Sequence, residues 1–209
     1  MILYLIRHGE TDYNVEGRYQ GMYGESTLTE QGKEQARALA PLLATLSFRH
    51  VYCSTSLRTR ETLALALPLL APQDVTFTDD LREVDVGILT NHLVADMQME
   101  HPAFYAAQPN GVTDFSEMGG ECPATLAVRA RRILSEIESS GHTSLAVVSH
   151  GAFLTYLVAA ATGLPPIHRR APLSNCSISV LEIKDGVGYL RLWNYTADCL
   201  SKFASCTAP

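Results

Sequence analysis

Short uncharged runs rich in Val, Ile, Tyr and Phe recur along the chain, with longer stretches between them in which apolar residues return every three or four positions. Residues 3–6, 51–53, 75–77 and 145–148 lack the alternation of a half-solvated strand, so they predict strands buried on both faces of a parallel sheet. Between the first two, Ala36, Leu39, Ala40, Leu43 and Leu46 form a helical stripe, with a kink expected at Pro41. A second helix is expected from about Ser56, weakening at Pro68. A third opens at Pro123, a favourable first helical position, and carries Leu126, Ala130, Ile133, Leu134 and Ile137 on one face. A fourth follows His150. Near the end of the chain, two strand patterns flank Asp185-Gly186, which predicts an antiparallel hairpin.

Strands alternating with helices in this order predict an α/β fold. The expected architecture is a three-layer α/β/α sandwich with a mostly parallel central sheet and an antiparallel edge hairpin. Residues 88–122 break the rhythm, and a stretch of that length and mixed character is expected to form a lid or a substrate wall.

Composition narrows the class. The 209 residues fit a single domain with that excursion, and 46% hydrophobic against 18% charged residues is ample for a core. A formal charge of -6 argues against a nucleic-acid partner. Cys53, Cys122, Cys176, Cys199 and Cys206 are irregularly spaced, without C-x-x-C, which indicates neither a disulfide framework nor a zinc site. The first residues lack the basic region and the long apolar run of a signal peptide. The uncharged stretch from Ser144 is interrupted by Ser149-His150-Gly151, leaving pieces too short to span a bilayer. A soluble, cytoplasmic protein without a membrane partner is therefore expected.

The strand ends carry the candidate chemistry. The first delivers Arg7-His8, the second runs through Ser54 to Arg58, the third is followed by Arg82-Glu83, and the fourth ends in Ser149-His150-Gly151. In an open α/β sheet, ligands bind in the crevice outside the carboxyl ends of the strands. Taken singly, an arginine after a strand is a solvated ion pair and a histidine in an apolar stretch is a core residue. Together these residues can hold an anion, attack it and move one proton. A transferring phosphoryl group spreads negative charge over three oxygens, which arginine meets with paired donors. Neighbouring cations would keep His8 neutral and nucleophilic, and Glu83 could protonate an alkoxide leaving group before activating water.

Arg7-His8-Gly9-Glu10-Thr11 with Asn14 resembles the R-H-G-E-T-x-x-N signature of the histidine phosphatase superfamily, the phosphoglycerate-mutase-like fold. The likeness continues in order through residues 17–21, Leu28-Thr29, Ser54 with Arg58 and Thr62, residues 81–87, Gly119-Gly120-Glu121 and residues 148–151. The resemblance implies His8 as a nucleophile that becomes phosphohistidine, Arg7, Arg58 and His150 as the phosphate pocket, and Glu83 as proton donor. Asn14 and the backbone near Gln20, Gly21 and Gly151 would add phosphate hydrogen bonds, and neither metal nor other cofactor is implied. The chain departs from the family pattern at Thr27, Thr59, Cys122, residues 88–91 and Asp198-Cys199, positions that bear on the substrate pocket more than on the chemistry.

The superfamily holds phosphatases and mutases on one catalytic core. The short separation of Glu83 from His150 favours a phosphomonoesterase acting on a small metabolite, with phosphoglycerate-mutase-type transfer and a non-catalytic phospholigand-binding module as alternatives. A metallohydrolase on His8, His150 and Asp12 is a further rival, opposed by the flanking arginines. Between Arg82 and Arg129 there are seven carboxylates and no Lys or Arg. That balance suggests a monophosphate ester whose leaving group is neutral, partly apolar or amine-bearing. Phe104, Tyr105, Phe115, Met97 and Met99 could line its wall. Cys122 is expected to be packed and inert rather than a redox control point. The Arg129/Arg131/Arg132 and His168-Arg169-Arg170 clusters are expected to face solvent.

Overall fold

The computed structural model describes residues 1–108, 114–166 and 171–199. Strands β1 (Ile2–Arg7), β2 (Val51–Ser54), β3 (Val75–Thr78), β4 (Ser144–Ser149), β5 (Ile178–Lys184) and β6 (Val187–Tyr195) form one sheet in the order β3-β2-β4-β1-β5-β6. Strands β3, β2, β4 and β1 pair in parallel, β5 runs antiparallel to β1, and β6 antiparallel to β5. The β5–β6 turn has Asp185 and Gly186 at φ 53° and 74°, the double positive φ that matches the twist of a two-residue hairpin.

The helices are α1 (Asp12–Glu16), α2 (Glu30–Leu43), α3 (Leu57–Ala66), α4 (Val94–Glu100), α5 (Pro102–Ala106), α6 (Pro123–Ser139) and α7 (Gly151–Thr162). On one face of the sheet Leu3, Leu5, Leu145 and Val147 pack with Leu126, Ile133 and Ile137 of α6 and Phe153, Leu154 and Leu157 of α7. On the other face Ile6, Cys53, Ala146 and Val148 pack with Ala36, Leu39 and Leu43 of α2 and Leu63 and Ala66 of α3. Burial on both faces explains why β1, β2 and β4 read as unbroken apolar runs. Strand β3 differs from that expectation. It is the last strand of the parallel part, has β2 as its one neighbour among the described strands, and leaves Phe77 46% exposed under the guanidinium of Arg60. Helix α2 runs through Pro41 and ends two residues later, so the proline lies in its last turn.

The excursion after β3 is built, not loose. Val86, Leu89, Met97, Phe104 and Met118 make a small core of their own, with Tyr19, Tyr105 and Phe115 against it. Backbone bonds from Asn91 to Tyr19, Tyr19 to His92 and Val94 to Gly17 tie it to the segment before α2. It therefore stands as a wall at the carboxyl edge of the sheet. No described helix is long and apolar enough to cross a membrane.

Candidate active site

Pairing of β1 with β4 and of β4 with β2 brings Arg7 opposite Ser149 and Cys53 opposite Val148. The residues that follow, His8, Ser54 and His150, therefore meet at one edge. The rings of His8 and His150 lie 5.2 Å apart, edge to face. His8 is 2% exposed, Arg58 1% and His150 fully buried.

The hydrogen bonds assign opposite tautomers to the two histidines. Nδ1 of His8 lies 2.7 Å from the carbonyl oxygen of Gly9, which only accepts, so Nδ1 carries the proton and Nε2 the lone pair. Nδ1 of His150 lies 3.2 Å from Nε of Arg58, which only donates, so here Nδ1 accepts and Nε2–H donates to Ser54 Oγ at 2.9 Å. Burial, then Arg58, then Arg7 hold the His8 pKa well below its ordinary value. Burial and the same cations do so for His150. Both rings are neutral at neutral pH.

Arg58 is pinned by its surroundings. Its two Nη groups donate to the carbonyls of Gly24 and Gly21, each at 2.9 Å. Burial lowers its pKa to about 10, which still leaves it cationic at neutral pH. Gly21 sits at φ 55° with Val86 Cγ2 only 2.7 Å from where a Cβ would stand, so a side-chain-bearing residue would disturb this bracket. Gln20 supports the same turn: its carbonyl accepts the Gly24 amide and its side-chain oxygen accepts from Ser26. Arg7 donates through Nη1 to the Leu173 carbonyl, but its buried Nε has no hydrogen-bond partner among the described residues. Gly151 lies against that Nε, where a Cβ would come within 3.2 Å. An unpaired buried donor on a cation costs free energy unless an anion meets it.

Asn14 spends its side-chain oxygen on the Thr11 amide and hydroxyl and on Asn175, leaving Nδ2 as its donor. Glu83 stands at the start of α7. Its Oε1 accepts the amides of Val84 and Phe153, and its Oε2 the amide of Ala152. Oε2 therefore keeps the spare lone pair, and the helix N-terminus orients the carboxylate. Asp12, the carboxylate of the metallohydrolase alternative, is instead committed to the amides of Tyr13 and Thr27. Among the described residues no three His, Cys, Asp or Glu side chains gather as metal ligands do.

Beyond Glu83 opens a cavity of about 610 Å³. Tyr19, Val86, Gln98, Tyr105, Phe115 and Tyr156 line it, and Glu83 is its one charged residue among those described. Of the five residues proposed for this wall, Tyr105 and Phe115 reach the cavity. Met97 and Phe104 are packed inside the excursion, and Met99 is 73% exposed.

The sequence assigns no role in the site to three of its residues, although Thr62 belongs to the family pattern. Thr62 accepts the Gly9 amide, and Asn175 donates to the His8 carbonyl from the turn before β5. The third is Arg129, which does not face solvent as expected: it is buried and bound to Glu121 and to backbone carbonyls. Its signal was its place three residues after Leu126 and four before Ile133, on the inner face of α6. Arg131 and Arg132 are exposed, and Arg132 pairs with Asp80. His168, Arg169 and Arg170 lie outside the described residues. Cys122 is not packed away either. It caps α6, partly exposed, and the amide and hydroxyl of Thr125 draw its thiol below the ordinary value.

Comparison with known proteins identifies the family and the fold. A family model of the histidine phosphatase superfamily (branch 1) matches residues 3–196. A Salmonella paratyphi A protein named "Probable phosphoglycerate mutase GpmB" is 34% identical over 193 residues, covering 91% of this chain and 89% of its own. The crystal structure of the α-ribazole phosphatase from Shigella flexneri superposes with a TM-score of 0.79 at 29% identity, over 93% of this chain and 96% of that one. A mycobacterial glucosyl-3-phosphoglycerate phosphatase solved with VO3 superposes with a TM-score of 0.83 at 26% identity, over 93% and 99%.

Proposed function

The chain belongs to the histidine phosphatase superfamily, and from that premise we propose that it hydrolyses a small phosphomonoester with an uncharged, largely apolar leaving group. The observation that carries this reading is the cavity beside Glu83, largely aromatic and apolar and without a cation among the described residues of its lining. An anionic leaving group such as a glycerate would meet Glu83 there and no counter-charge. The length argument against a mutase does not separate this chain from its mutase-named relative, because the two match over nearly their whole lengths. The choice rests on the cavity.

In the proposed reaction the phosphoryl oxygens lie against Arg58, the Nε of Arg7, Asn14 and the Gly151 amide at the start of α7, the next two amides being held by Glu83. Nε2 of His8 attacks phosphorus and forms a P–N bond as the P–O ester bond breaks. Glu83, through Oε2, gives its proton to the departing alkoxide. Water then attacks phosphorus, Glu83 takes the water's proton, and the P–N electron pair returns to Nε2. His150, with both ring nitrogens engaged, serves by holding the Arg58 guanidinium in place. Each step uses side chains and water alone, so the reading requires no metal.

The test is a panel of phosphomonoesters in EDTA, 3-phosphoglycerate included, followed for inorganic phosphate and for positional transfer. Phosphate release from apolar esters, lowered by a factor on the order of a thousand or more in His8→Ala, is the expected result. Positional transfer without release would make the protein a mutase. Loss of activity in EDTA would reject the metal-independent reaction, and unchanged turnover in His8→Ala would reject the nucleophile.

A further inference from the structure

The structure assigns Arg129 a positioning role: with Glu121 it holds the segment bearing Glu83 so that the carboxyl group meets the leaving-group oxygen. This rests on the reading of Glu83 as proton donor. Residues 83–86 belong to neither helix nor strand, so no backbone ladder fixes the acid. Arg129 supplies the missing constraint. Its Nε and Nη2 form a fork on Glu121 at 3.0 and 2.8 Å. Nη1 donates to the carbonyls of Asp80 and Arg82 at 3.1 and 2.7 Å, and Nη2 also to that of Glu83 at 3.3 Å. All five N–H groups of the guanidinium are thereby used.

Glu121 continues the clamp on the far side of the acid. Its Oε2 accepts the Asp85 amide at 2.9 Å, and its own amide donates to the Asp85 carbonyl at 2.9 Å. The guanidinium also lies 4.1 Å over the ring of Phe153, whose amide is one of the donors to Glu83. One buried cation thus joins the acid segment, the end of the excursion and the start of α7. A purely structural contact between a helix and a loop is made more cheaply by apolar side chains than by a desolvated ion pair. What the pair adds is direction, because a planar fork with fixed donors sets the register of three carbonyls at once.

The test compares leaving groups. Phenethyl phosphate needs its departing oxygen protonated, whereas 4-nitrophenyl phosphate loses a stable phenolate without that help. The readout is the ratio of their kcat/KM values, which reports transfer to His8 and cancels any difference in the fraction of folded enzyme. Glu83→Gln should lower the phenethyl-to-nitrophenyl ratio about a hundredfold. Arg129→Lys, which keeps the charge but loses the fork, should lower it about tenfold, and Glu121→Gln should move it the same way. If Glu83→Gln leaves the ratio unchanged, the acid assignment fails and the inference with it. A ratio that shifts in Glu83→Gln but stays within about twofold of wild type in both Arg129→Lys and Glu121→Gln overturns the inference alone.

Discussion

A histidine surrounded by two guanidiniums and sealed from water disfavours a second proton at neutral pH, which leaves Nε2 of His8 the lone pair that the proposed nucleophile requires. The residue types at the strand ends were enough to read this far, because charge repulsion and burial depend on which groups meet and not on their fine geometry. Tautomers were beyond reach, since they follow from a carbonyl at Gly9 and a guanidinium at Arg58 that only the fold brings near. Arg129 was misread by composition, as one of three arginines, when its helical position held the better signal. Tyr156 shows the same limit. It sits on α7, is 3% exposed, and its hydroxyl has no hydrogen-bond partner among the described residues. Burial, with Asp114, Glu121, Cys122 and Glu83 around it, pushes its pKa up to about 12, so it stays protonated. Removing an unpaired buried hydroxyl relieves its desolvation cost. Tyr156→Phe should therefore be neutral or stabilising by up to about 1 kcal/mol in urea unfolding, and a clear loss of stability would show that the hydroxyl is paired.

At the scale of elements, what could be read was whatever repeats locally. Helices α2, α3, α6 and α7 and the β5–β6 hairpin declare themselves through stripe, cap and turn, while the strand character of residues 75–77 was right but its burial was not. Edge position is a property of the whole sheet, and a short apolar run carries no record of it. The excursion was visible as a break in rhythm, yet which of its apolar residues face the cavity depends on how α4 and α5 fold over Leu89 and Met118. Phe104 is the largest side chain of that small core, so Phe104→Ala should cost about 3–5 kcal/mol locally. Because its buried residues form a cluster distinct from those flanking the sheet, bridged to one of them by half-buried Phe115, most of the cost should fall on the excursion. The expected outcome is faster amide hydrogen exchange across residues 93–106 with β1 and β4 unaffected, and a raised KM for apolar esters. Equal acceleration of exchange in the sheet would mean that the excursion and the sandwich unfold as one unit.

For the whole molecule, the order β3-β2-β4-β1-β5-β6 is the step that could not be read, because strand pairing is a long-range choice that no local pattern encodes. It matters most for function. Placing β1 beside β4 sets His8 against His150, and the connection out of β4 crosses β1 to reach β5, so the turn before β5 closes on Arg7 and the His8 carbonyl. The result is a chain of net charge -6 that encloses a cluster of two cations and two neutral histidines. That cluster links folding to pH. Both histidines titrate well below their ordinary value of 6.5 when folded and near it when unfolded. Below pH 6.5 the unfolded chain therefore binds more protons than the folded one, so stability rises with pH and falls as acid is added. The limiting slope is about 1.4 kcal/mol per pH unit for each histidine. Urea unfolding between pH 7.5 and 5.5 should show stability flat above the histidine range and declining below it, and His8→Gln should remove roughly a third to a half of that decline, since His50, also lowered by burial and by His142, adds to it. A decline of the same steepness in His8→Gln would mean that His8 is as easily protonated in the fold as in the open chain, and a cationic pocket around it would then be untenable.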